Sequence, residues 1–131
     1  MKKFCVLIFY IIPLFASAQT VQLSDTIKAP LSYENIFVKP LASDSLASSY
    51  VIFIKKEVKK HKHLFHTEHV YVLDGEGELL LGDKTLLIKK GDIIFIPKNT
   101  IHAFKVTSVT PAKIISIQAP YFDGKDRVLM E

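Results

Sequence analysis

The chain has one cysteine, one arginine and five glycines in 131 residues, and each scarcity removes a class of protein. The cysteine, Cys5, lies in the first apolar run, so the expected mature domain has no disulfide framework and no thiolate for catalysis or metal binding. Its stability must come from burial, and any metal must be held by nitrogen and oxygen. The arginine, Arg127, forms no basic tract, and a formal net charge of +4 is modest, so nothing marks a nucleic-acid partner. Long apolar runs are missing too. The run from Phe4 to Phe15 contains Pro13 and falls short of the roughly 20 residues that cross a bilayer. Amphipathic helices of useful length, internal repeats and low-complexity segments are also absent from the pattern.

What is present is a signal-like N-terminus followed by short strand signals. Met1-Lys2-Lys3, the apolar run and Ala16-Ser17-Ala18 have the form of a cleaved secretory signal peptide over residues 1–18. Export to the periplasm or the exterior is therefore expected, with no stable membrane insertion after cleavage. Loss of Lys2 and Lys3 would lower the net charge from +4 to +2. Residues 19–34 read as a loosely ordered arm, 35–119 as one β domain and 120–131 as a C-terminal tail. Composition, 49% hydrophobic and 23% charged, suits one domain with a core.

Strands are expected at residues 35–41, 50–54, 69–73, 78–81, 85–88, 93–96, 101–107 and 113–118. Turn signals separate them, Asp74-Gly75 being a strong one. Strands at this spacing predict an all-β sandwich or barrel. Tyr71 and Phe95 are expected inside it. Ser116 and Gln118 would neighbour the site only if their face of the strand is the inner one.

Four of the five histidines fall within nine residues, His61, His63, His66 and His69, together with Glu68. On a strand, His61 and His63 point to one face because side chains alternate. After a short turn Glu68 can come opposite them, and His102 can complete the set from a neighbouring strand. Three imidazoles and one carboxylate suit a divalent transition metal, Mn, Fe, Co, Ni, Cu or Zn, with positions left open for water or substrate. His66 is an alternative ligand in place of His61, through His63-x-x-His66-x-Glu68. His69 should face away from Glu68, toward the surface or the outer side of the site.

These residues resemble the two motifs of a small single-domain cupin. The first is matched by His61, His63, Glu68 and Gly75, the second by Gly91, Pro97 and His102, with 15 residues between Gly75 and Gly91. The resemblance covers about Tyr50 to Gln118 and implies a cupin-type jelly-roll barrel with the metal inside, on His61, His63, Glu68 and His102. Three positions depart from the pattern. Lys55 replaces a glycine, which implies a different turn before the histidines. Asn99 replaces a glycine and tolerates the left-handed backbone required there. Val106 replaces an asparagine.

Lys55 to Lys60 reads as a solvated edge that discourages edge pairing, or more sharply as a guide for anionic substrates at the barrel mouth. In the tail, the aromatic residues are expected to cover the barrel or a partner in a homodimer, and Asp126 and Arg127 to fix the segment by an ion pair. The resemblance implies either a metal-dependent small-molecule enzyme, a dioxygenase or an isomerase, or a binding module that captures a metal or small ligand without turnover. Export weighs against phosphosugar isomerisation and places oxygenase chemistry ahead.

Overall fold

The computed structural model describes residues 21–131, so the expected signal peptide over 1–18 lies outside the described residues. Alternation of apolar and polar side chains governs the rest. β1 (Ile36–Ser43), β2 (Ser48–Ile54), β3 (Glu57–Lys62), β4 (Thr67–Asp74) and β5 (Glu76–Leu81) are followed by β6 (Lys84–Lys89), β7 (Ile93–Ile96), β8 (His102–Val106), β9 (Ala112–Ala119) and β10 (Val128–Leu129). They form two five-stranded antiparallel sheets, in the orders β1-β2-β9-β4-β7 and β10-β3-β8-β5-β6. The fold is an all-β double-stranded β-helix in a single domain. Among the described residues the only helix is a single 3-10 turn, Ser24–Thr26.

The inward apolar side chains of both sheets form one core, and most of them also wall the cavity within the barrel. Ile54, Val70, Val72, Leu79, Ile88, Ile94, Ile96, Phe104 and Ile114 pack there, and burying such side chains contributes about 1.5–3 kcal/mol each. The Asp74-Gly75 turn brings the chain back over this core. Gly75 has φ +79°, and a Cβ there would come within 2.7 Å of the Ala112 Cα, so both backbone angle and space require glycine.

The structure changes three expectations. The N-terminal arm is docked: Ile27 is buried against Val51 and Phe53, and the Lys113 ammonium donates to the carbonyls of Ser24 and Ile27 at 2.6 and 2.9 Å. Tyr71 and Phe95 point outward, 40% and 51% exposed, because Val70 and Val72 occupy the inner positions of β4, and Ile94 and Ile96 those of β7. Residues 57–62 form a true strand despite three lysines. It has solvent on its outer side and the tail strand β10 on its edge.

Two of the three departures from the motif pattern, Lys55 and Asn99, are also explained. Asn35 stabilises the bend at Lys55 and Lys56: its carbonyl accepts from Lys55 N at 2.8 Å and its side-chain oxygen accepts from Lys56 N at 2.9 Å. Asn99 takes the left-handed conformation at φ 63°, and its N–H donates to the His63 carbonyl at 2.5 Å. The turn of the second motif is thereby pinned to the first.

Candidate metal centre

His61 faces inward because of an irregularity. Val58 pairs with Phe104 and His61 with His102, so the register slips by one residue at Lys59-Lys60, a β-bulge. Val58 and His61 have opposite parity, yet both turn toward the interior. The bulge also supplies the Lys59 carbonyl, which accepts from His61 Nδ1 at 2.8 Å.

The other two histidines are oriented in the same way. His102 Nδ1 donates to the Thr100 carbonyl at 3.0 Å, and His63 Nδ1 donates to the carbonyl of Asp126 in the tail. With each Nδ1 engaged as a donor, each Nε2 presents its lone pair inward. The ligand atoms of His61, His63 and His102 lie within 4.8 Å of one another, and all three residues are buried.

Glu68 closes the group from β4. Its Oε2 is 3.5 Å from both His63 Nε2 and His102 Nε2, and its Oε1 accepts from Ser116 Oγ at 2.5 Å. Neither Nε2 has a hydrogen-bond partner. Imidazole lone pairs facing a carboxylate in a buried site repel unless a cation lies between them. Donors bound to one metal at about 2.1 Å are spaced about 3.0–3.5 Å apart, and the two distances from Glu68 Oε2 reach the upper end of that range. The cluster therefore fits a divalent metal.

The electrostatics divide the histidines. Burial, with His102 adjacent, lowers the His61 pKa to about 4, which keeps the ring neutral as a ligand must be. For His63, burial opposes the charged form but is outweighed by Glu68 and the Asp126 carbonyl, so its pKa is raised. Glu68 is deeply buried, which would raise its pKa, yet the adjacent imidazoles of His102 and His63 and the hydrogen bond from Ser116 hold it well below the usual carboxylate range. The carboxylate is thus held in its ionised form beside the histidines.

The remaining sequence candidates fall elsewhere. His66 is buried but turned away, with Nδ1 2.5 Å from Asp126 Oδ2 and Nε2 2.9 Å from the Tyr121 carbonyl. His69 is exposed on the outer face, its ring 4.8 Å from that of Phe95. Ser116 and Gln118 do lie on the inner face of β9, and both are buried. Asp126 does not pair with Arg127. Its carboxylate accepts from the backbone N–H groups of Leu64 and Phe65 at 2.8 Å and from that of His66 at 3.2 Å.

The tail crosses the open end of the barrel. The Phe122 ring meets the rings of His63 and His66 edge-on at 5.5 and 5.0 Å, and its carbonyl accepts from Tyr50 Oη at 3.1 Å. Beneath it a cavity of about 450 Å³ runs from the histidines to the apolar core. Its wall is mostly Ile, Val, Leu and Phe, and its polar groups are concentrated at the histidine end with Gln118 and Arg127. The tail aromatics Tyr121 and Phe122 line the cavity, in keeping with the expected cover of the barrel, but the partners of Asp126, some 60 positions away, were not legible in the sequence.

Fold and site together define a β-barrel with a buried histidine cluster, and residues 50–118 match the cupin domain family. The chain belongs to that family. An uncharacterised protein of Aquifex aeolicus is 37% identical over 100 residues, covering 76% of this chain and 82% of its own length. The mannose-1-phosphate guanylyltransferase RfbM of Salmonella typhimurium is 36% identical over 67 residues, which cover 51% of this chain and 14% of that enzyme. The quercetin 2,3-dioxygenase of Bacillus subtilis is 31% identical over 48 residues, 37% of this chain and 14% of the enzyme. Among solved structures, a conserved double-stranded β-helix protein of Klebsiella pneumoniae superposes with a TM-score of 0.73 at 20% identity, covering 87% of this chain and 99% of its own.

Proposed function

We propose that this cupin holds one divalent transition metal on His61, His63, His102 and Glu68 and acts there on a small, largely apolar molecule, with oxygenase-type chemistry. The observation that carries this reading is the pairing of a buried donor set with a cavity walled by aliphatic and aromatic side chains. A sugar in that cavity would bury hydroxyls without partners, at about 1–3 kcal/mol each, which disfavours isomerase chemistry and agrees with the short match to quercetin 2,3-dioxygenase. A metal in this site would supply Lewis acidity and, if redox-active, electron transfer to substrate or dioxygen. The protein's own part is to fix the imidazoles through their Nδ1 hydrogen bonds, hold Glu68 ionised through Ser116, and exclude water with the tail.

The same residues would serve a module that binds without turnover. Oxygen consumption by iron-, manganese-, nickel- and copper-loaded protein against catechols, thiols and diketones separates the two. Turnover with any of these supports the enzyme, and binding of such compounds without oxygen uptake supports the module. Export is part of the reading, supported by the composition of residues 1–18, and a mature N-terminus at Gln19 would establish it.

A further inference from the structure

Two polar groups in the cavity have no counterpart in the protein. Gln118 is 6% exposed and lines the cavity, and its Oε1 has no hydrogen-bond partner. It sits opposite Glu68 in the β4–β9 register, beside the histidines. The second is Arg127, an exposed residue that lines the same cavity and, among the described residues, makes no ion pair or side-chain hydrogen bond. It is the only arginine in the chain.

The position of Arg127 is well determined. Its neighbour Asp126 is clamped to the Leu64–His66 turn through its carboxylate, and the Asp126 carbonyl receives the His63 ring. On its other side, Val128 and Leu129 pair with Lys62 and His61 on β3. Almost every anchor of the tail therefore lies within a few residues of Arg127, and the tail places a fixed positive charge beside the metal-binding histidines.

Arg127 is solvent-exposed while it also lines the cavity, so its charge is only partly desolvated, and Glu68 across the cavity favours it. Glu68 is already committed to Ser116 and to the cation among the histidines, and one carboxylate neutralises only half of a divalent ion's charge. Asp123, which also lines the cavity, is paired with Lys125 at 3.4 Å, so the polar end of the cavity keeps excess positive charge beside apolar walls, where an anion is favoured over a neutral molecule.

We propose that Arg127 reads an anionic oxygen of the ligand, and that this barrel takes small anions with an apolar body, carboxylates or enolates, whose hydrogen-bond donor, where they have one, faces Gln118. This rests on the reading of the barrel as a metal-dependent small-molecule site, and it narrows the substrate class. Arg127 is a binding residue in this account, and a planar fork with several donors suits a carboxylate or a chelating enolate better than a lysine would.

The test uses the full mature chain loaded with zinc, which is redox-inert, and two probes of equal length, hexanoate and 1-hexanol, with affinities from titration calorimetry and zinc content measured on the same samples. Wild type is expected to prefer hexanoate. Arg127→Gln is expected to weaken hexanoate about tenfold, the worth of a charge-assisted hydrogen bond, and to leave 1-hexanol affinity, zinc content and thermal midpoint unchanged. Arg127→Lys, which keeps the charge, should retain part of the preference. An unchanged hexanoate preference in Arg127→Gln overturns the proposal and leaves the metal reading intact, since zinc alone would then select the anion. Equal loss of both probes also overturns it, by making Arg127 structural. If wild type takes up no zinc, the metal reading fails separately, and the effect of Arg127→Gln on the two probes still decides this proposal.

Discussion

The Asp126 carboxylate accepts the ring N–H of His66 at 2.5 Å, joining the C-terminal tail to the turn that connects His63 to Glu68. Three backbone N–H groups of that turn end on the same carboxylate, so this residue closes the barrel mouth and shapes the loop between two residues of the candidate site, His63 and Glu68.

Asp126→Ala should release the tail without unfolding the barrel, whose core is formed by the two sheets. The expected result is faster hydrogen exchange at the amides of Leu64, Phe65 and His66 and new proteolytic cleavage between residues 120 and 131. Metal affinity should fall about tenfold, because His63 loses its fixed Nδ1 acceptor when the tail departs. Unchanged exchange at those amides would show that the clamp contributes nothing.

Acid should produce the same release. Burial raises the pKa of Asp126, but the His66 ring and the Phe65 and Leu64 amides outweigh it, leaving the pKa at about 2. A carboxyl whose folded pKa lies below its unfolded value contributes stability that is present above the unfolded value and lost as pH falls through the folded one. Tail docking, followed by exchange at the same amides, should therefore hold at pH 5 and weaken between about pH 4 and 2, from the ordinary Asp value down to the lowered one. Asp126→Asn should remove most of this pH dependence.

Ser116→Ala should leave the fold intact and loosen the metal. The hydroxyl holds Glu68 Oε1 so that Oε2 faces the two imidazoles. Loss of such a supporting hydrogen bond typically costs about 10–100-fold in metal affinity, readable by competition with a chelator. An unchanged affinity would remove Glu68 from the ligand set.

Much of this site could be read from the sequence. Alternation along β4 separates Glu68 from His69, and the motif spacing brings in His102 from β8, whose register partner is His61. The bulge at Lys59-Lys60 could not be read, since it reverses the side-chain parity between Val58 and His61 and depends on pairing with β8. The burial of His66 was hidden for a similar reason. Its partners, Asp126 and the Tyr121 carbonyl, come from the far end of the chain, and local pattern says nothing about contacts at that separation. Tyr71 and Phe95 show that an aromatic residue does not choose a face of a strand. The neighbouring Val70, Val72, Ile94 and Ile96 fill the interior, and the rings are left outside.

The most direct test of the account is metal content, measured by elemental analysis on protein purified from its native compartment and on His63→Ala. The account predicts about one Fe, Mn, Ni, Cu, Co or Zn ion per chain in the wild type and loss of that ion in the variant. Wild-type protein without stoichiometric metal, and a His63→Ala protein of unchanged stability, would contradict it.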